Sequence, residues 1–324
     1  KRSASVDYAG IGLLIVCVSS LQYLFEYGQR DDWFASPLMV ALAIIAGGGG
    51  VGLAWRELTT EHPVIDFRVL RHRAMWVGTV LGIVMGVGLY ASVFTLPVFM
   101  QNNLRMTAEQ TGIVLLPGAL ATAVSMWVAG KLTAKFDARL LIAIGAGTFA
   151  LAMWQLSEIT SESGSGNFVM PLILRGVGLG LMFVPLTTVT LADLPRGELP
   201  QATGLYNFFR QLGGSLGIAG VATIVSHDTV QAKAVLAAHV TSTDPGSLAR
   251  VTMLAHGFAA RGADAGTAMR RAYAVLDREI LGQASVIAYS HSYIIAAGLV
   301  LALIPLLALV RQTKSQNAAE MMLE

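Results

Sequence analysis

Apolar residues in this chain gather in long unbroken runs, without the short alternating pattern of soluble strands. About eight runs reach the ~20 residues that a helix needs to cross a bilayer. They lie near Tyr8 to Tyr27, Pro37 to Trp55, Ala74 to Gln101, Gly112 to Lys131, Leu140 to Leu156, Phe168 to Leu194, Pro200 to Val225 and Ser292 to Val310. Runs such as LVLALIPLLALV do not alternate, which excludes the ~10-residue strands of a membrane barrel. The expected fold is an all-α membrane protein with about eight transmembrane helices, because lipid offers no partner to open backbone.

Basic residues give the runs a direction. Lys and Arg accumulate in cytoplasmic loops. Here they fall in alternate connections: Arg56, Arg68, Arg71 and Arg73 after the second run, Lys131, Lys135 and Arg139 after the fourth, and Arg311 and Lys314 in the tail. The intervening stretch 157–167 has none, and 102–110 has only Arg105. Both ends are therefore expected in the cytoplasm of a multi-pass cell (inner) membrane protein. One connection, 227–291, is long and carries Arg261, Arg270, Arg271 and Arg278 on the outer side, where long loops largely escape the charge rule. Apolar spacing in VQAKAVLAAHV and in 268–289, with a turn at Asp244, Pro245 and Gly246, predicts short external helices there.

Composition narrows the class. The chain is 54% hydrophobic and 13% charged, against about 25% charged in soluble domains. The net charge is +2 and the basic residues are dispersed, so nucleic acid is an unexpected partner and membrane lipid the expected one. Cys17 is the single cysteine, which rules out an intrachain disulfide and a cysteine-rich metal site. Phosphate-loop, HExxH and nucleophile-elbow patterns are lacking. No catalytic set, metal site or cofactor site emerges, so an enzyme is not expected. Lys1 at the start reads as a truncated or processed beginning.

Candidate chemistry rests on polar residues at membrane depth. Arg210 lies about 10 residues into its run, roughly 15 Å deep, in a hydrocarbon core of ~30 Å where a centred charge requires an interior partner or water. Asn207 and Gln211 share its helical face, and Gly214 on the same face permits close approach. These three polar residues are candidates for a transport path or gate. A purely structural role, capping carbonyls of a broken neighbour, stands beside that reading. Arg175, roughly 10 Å from the outer end of its span, is a weaker candidate whose side chain could snorkel. Tyr90 and Gln101 are further path candidates. Glu26 and Arg30 suggest an interfacial ion pair. Pro97, Pro117, Pro185 and Pro305 are expected to kink their helices. Small residues at four-residue spacing, Gly78, Gly82 and Gly86, then Gly176 and Gly180, then Gly213 and Gly217, are expected at helix-packing faces.

Two tracts, HPVIDFRVLRHR from His62 and PLTTVTLADLPRGELPQATGLYNFFRQLGGSLG from Pro185, resemble the fourteen-span drug:proton antiporters of the major facilitator superfamily, the EmrB/QacA type, and the likeness covers nearly the whole chain. The loop GKLTAKFDAR resembles the superfamily's cytoplasmic gating motif at Gly130, Leu132, Lys135, Phe136 and Arg139. It departs at Ala134, where the motif has an acid, and at Asp137, where it has glycine. The resemblance implies two central linker helices with a cytoplasmic loop in 1–73, a C-terminal six-helix bundle in 74–310 with the external loop 227–291, and a tail in 311–324. It implies an N-terminal six-helix half that this chain lacks, together with the proton-coupling acids that belong to that half. The implied activity is proton-coupled export of hydrophobic or amphipathic drug-like compounds by alternating access, with a periplasmic adaptor and an outer-membrane channel as further partners in Gram-negative members. The competing reading is a truncated membrane remnant that binds a partner and transports nothing.

Overall fold

The computed structural model describes residues 7–60, 66–240 and 244–309. Among these, the regular elements are helical throughout. The helices are α1 (Tyr8–Tyr27), α2 (Pro37–Thr59), α3 (Arg73–Asn102), α4 (Ala108–Thr133), α5 (Ala138–Ser157), α6 (Gly166–Leu191), α7 (Leu199–His239), α8 (Pro245–Ala259), α9 (Ala265–Leu301) and the short α10 (Leu303–Leu306). Eight helices, the last counted as one run from α9 through Leu309, are long and apolar enough to cross a membrane. The tail 311–324 and residues 62–65 of the first family-like tract lie outside the described residues.

Helix boundaries follow local chemistry. Thr107 and Gln110 close a capping box on α4, which satisfies orphan donors at the helix start. Asp137, one of the departures from the loop motif, caps α5 by accepting from the Arg139 amide at 2.9 Å. α2 opens on Pro37, where a missing amide hydrogen costs nothing. α9 stops at Leu301 because Pro305, four residues on, cannot donate to its carbonyl. The last apolar run is therefore broken near its end.

α1 ends at Tyr27, and Asp32 and Trp33 take left-handed backbone angles in the turn that follows. Arg30 thus leaves the helix, and the expected ion pair with Glu26 does not form. At the opposite end of the hairpin Arg56 of α2 grips Asp7 with Nε at 3.0 Å and Nη2 at 2.8 Å. That guanidinium holds the Asp7 carboxyl below its usual range.

The long connection is also more regular than its sequence predicts. Its first helical stretch is the continuation of α7 and its second the continuation of α9, so only α8 is a separate helix in this connection. At 1.5 Å per residue α7 is ~60 Å long, about twice the hydrocarbon thickness. Hydropathy marks where lipid ends, whereas the backbone ladder continues as long as side chains permit. Lys233 of α7 meets Asp277 of α9 at 2.8 Å, and Arg250 of α8 meets Glu279 at 2.6 Å, which ties the three projecting segments together.

Within the bundle α3 lies parallel to α7 and α4 parallel to α6, each pair joined through glycines. A Cβ on Gly86 would stand 2.3 Å from the Arg210 carbonyl oxygen, one on Gly213 2.5 Å from the Ile83 carbonyl oxygen, and one on Gly217 2.5 Å from that of Val87. A Cβ on Gly176 would stand 2.4 Å from the Gly118 carbonyl oxygen, and one on Gly180 2.6 Å from Ser125. Gly82 faces the Tyr206 ring, and Gly78 faces Thr190 of α6. Such backbone proximity supplies dispersion contacts that stand in for the hydrophobic effect inside lipid. α5 crosses α6 antiparallel, Gly145 against Met182 and Phe149 against Gly178. α5 and α9 complete the core around Phe99, Phe149, Phe168 and Met182. α1 and α2 form a separate hairpin that meets the bundle through α7.

Candidate functional site

The polar stripe lies on α7. Asn207 and Gln211 are exposed and Arg210 half-buried, because neighbouring positions Ala202, Leu205, Tyr206 and Gly213 take up the packed side of the helix. Arg210 Nη2 donates to Asn207 Oδ1 at 3.2 Å. Its guanidinium lies 4.9 Å from the centre of the Phe183 ring on α6, a cation–π contact that gains from low dielectric. Arg210 Nε is buried without a partner. Gly214, one turn on, leaves room for the Tyr90 ring of α3, whose carbons a Cβ there would approach to 2.3 Å. The Tyr90 hydroxyl donates to Gln211 Oε1 at 2.6 Å. Tyr90, Asn207, Arg210 and Gln211 thus form one polar patch, roofed by Phe183, on an otherwise apolar face.

Arg175 is placed elsewhere. It is 9% exposed, and its Nη1 donates to the Ser92 carbonyl at 3.3 Å. It does not snorkel, because α3 and α9 close over it with Ser92, Thr95 and Tyr293, all buried. Its Nε and the Tyr293 hydroxyl have no partner. Ser92 precedes Pro97 by little more than a helical turn, so Arg175 caps backbone beside a kink site. Gln101 is exposed near the far end of α3, several turns from Tyr90 and apart from the patch.

The loop motif occupies the end of the bundle where α4 gives way to α5. Gly130 and Leu132 lie in the last turn of α4, Lys135 and Phe136 are exposed, and Asp137 caps α5. Lys131 Nζ sits 3.5 Å over the Trp127 ring. The two family-like tracts meet at the start of α7. Arg71 Nη2 reaches Glu198 Oε1 at 3.1 Å, and His72 Nε2 lies 3.2 Å from Glu198 Oε2. This fastens the segment before α3 to the start of α7.

Sequence reasoning missed Phe183, Ser215 and Gln22. Ser215 follows Gln211 by four residues and so extends the stripe. Gln22 of α1, whose Oε1 accepts from the Ser215 hydroxyl, is a polar residue within an apolar run, and nothing in the run itself says which helix it meets. No group of His, Cys, Asp and Glu able to hold a metal occurs among the described residues.

Comparison with known proteins agrees with this architecture. Residues 33–218 match the family model described as Major Facilitator Superfamily. The chain is 31% identical over 67% of its length to the fatty acid resistance protein FarB of Neisseria gonorrhoeae, 25% identical over 93% to the multidrug export protein EmrB of Escherichia coli K12, and 28% identical over 76% to the MFS-type transporter YhcA of Bacillus subtilis 168. It covers 43%, 57% and 46% of those proteins, so it spans about half the length of the curated relatives it matches. A crystal structure of a bacterial homolog of the human lysosomal transporter Spinster, inward-facing and occupied, superposes with a TM-score of 0.50 at 16% identity, over 94% of this chain and 67% of that one. That likeness concerns the fold alone. With the family model covering more than half of the chain, glycine-joined helices and a polar patch at membrane depth have a common explanation: this chain belongs to the Major Facilitator Superfamily, among relatives named for the export of drugs and resistance to fatty acids.

Proposed function

We propose that the chain is the C-terminal part of a proton-coupled exporter of hydrophobic or amphipathic compounds, with α1 and α2 as central linker helices (1–73) and α3 to α7 with α9 as a six-helix bundle (74–310). The observation that carries this reading is Arg210: a cation at membrane depth, bonded to Asn207 and lying on Phe183, on a face left open by the rest of the bundle. A static packing role has no need of an open face. Alternating access requires one, since the substrate must be seen from both sides at the midplane. Names of relatives, multidrug export and fatty acid resistance, fit apolar or amphipathic cargo.

The described parts of α3 to α6, and of α7 up to Val225, hold an acid only at Glu109, at the start of α4. The reading therefore places proton-carrying acids on a facing six-helix half, and gives this bundle the substrate-binding side. Arg56, Arg68, Arg71, Arg73, Lys131, Lys135 and Arg139 support cytoplasmic placement of the loop-motif end in the inner membrane. The projecting ends of α7 and α9 with α8 then lie outside, as a docking surface for a periplasmic adaptor linked to an outer-membrane channel. Replacing Arg210 by Ala in the full-length protein tests the assignment. Efflux is expected to fall while the amount in the membrane stays constant, and unchanged efflux would remove Arg210 from the path.

A further inference from the structure

α1 presents two stripes to protein. Gly10, Cys17 and Leu24 are buried on the side toward α2, where Cys17 approaches Gly49 and Gly50. Leu14 and Gln22, about 60° and about 140° around the helix from Cys17, meet α7 instead. Leu14 packs on the cluster of Leu205 and Tyr206, and Gln22 Oε1 accepts from the buried Ser215 hydroxyl. Gln22 stands ~21 Å along α1 and Ser215 ~24 Å along α7, both within the hydrocarbon layer. Ser215 Oγ also lies 3.2 Å from the carbonyl oxygen of Gln211, whose side chain holds Tyr90. One polar row thus runs from α3 across α7 to α1, and the hairpin borders the patch.

The row is rich in donors and poor in free acceptors. Arg210 can only donate, which fixes Asn207 with Oδ1 toward it and Nδ2 outward. Gln211 Oε1 is taken by Tyr90 and Gln22 Oε1 by Ser215. Gln22 Nε2 has no acceptor among the described residues, and Gln22 is only half-buried. A primary amide placed in lipid with its donors unused is unfavourable unless a ligand or water completes it.

We propose that Gln22 of α1 contacts the substrate, and that the row of Gln22, Asn207, Arg210 and Gln211 selects apolar molecules carrying hydrogen-bond acceptors such as carbonyl groups. This rests on the export reading above and gives the hairpin a part in recognition beyond joining two bundles. Two dyes separate the claims in the full-length protein reconstituted in vesicles: Nile red, which has acceptors and no donor, and N-phenyl-1-naphthylamine, which has one N–H donor. Gln22→Leu is expected to raise KM for Nile red about five-fold, the size of one lost hydrogen bond, with little change for N-phenyl-1-naphthylamine. In a Cys17→Ser background, Nile red is expected to slow thiol labelling of Gln22→Cys at least about five-fold and to leave Tyr23→Cys, on the exposed side, at its own rate. Equal loss for both dyes, or labelling of Gln22→Cys that ignores Nile red, overturns the proposal. If the wild-type protein exports neither dye, the export reading itself fails, which is a separable result.

Discussion

Two arginines at similar depth behave differently because of what surrounds them. Arg175 is enclosed by α3 and α9 with the Ser92 backbone carbonyl as its partner, whereas Arg210 keeps an open side, an amide and an aromatic face. A buried cation without a carboxylate is more costly than an apolar side chain of the same volume. Arg175→Met is therefore expected to melt in detergent within about 1 kcal/mol of wild type, or above it. Arg175→Ala, which also leaves a cavity, is expected to lose about 2–5 kcal/mol. Thermal unfolding followed by tryptophan fluorescence reads both, and a Met variant as unstable as the Ala variant would mean that the charge itself holds the helices. Sequence alone placed both arginines at depth, but depth along one helix says nothing of which neighbours close over it. By depth alone Arg175 could snorkel; the closure of α3 and α9 over it is what prevents this.

Among the elements, the glycine faces decide how closely α3 and α7 approach. A methyl group at Gly86 meets backbone, while one at Gly204 on the same pair meets nothing within 4 Å. Gly86→Ala is expected to cost about 1–3 kcal/mol through forced separation of the helices, and Gly204→Ala to be tolerated; thermal aggregation of the two variants, followed by size-exclusion chromatography, measures the difference. The connection between α8 and α9 offers a pH test. Asp264 caps α9, and hydrogen bonds from Thr267, with those from nearby amides, hold its carboxyl below the usual range. A depressed folded-state pKa means that the cap's contribution is complete above the unfolded value of about 3.9 and fades as pH falls through the folded one. Hydrogen exchange at the first turn of α9, corrected for the intrinsic pH dependence, should be the same at pH 7 and pH 5 and faster below about pH 4. In Asp264→Ala that turn should exchange faster at every pH. Apolar runs announced the bilayer-crossing part of these helices, and apolar spacing in VQAKAVLAAHV announced a helix beyond it, but neither signal says that the two are one continuous helix.

At the level of the molecule, loop charges, glycine spacing and the two family-like tracts together make the class legible in the sequence, and the family match agrees with it. What stayed hidden is what depends on distant segments meeting: Arg71 and His72 on Glu198, Leu14 on the cluster around Leu205 and Tyr206, Ser215 on Gln22. Each joins positions far apart in the chain, and one-dimensional periodicity does not register such pairs. The central claim, that the open face around Arg210 is a transport path, is tested most directly in vesicles holding the full-length protein under an imposed pH gradient. Wild type should move Nile red, and Arg210→Ala should lower the rate at least about ten-fold at equal inserted protein, as loss of an essential midplane contact requires. Nile red export by Arg210→Ala at the wild-type rate would contradict the account.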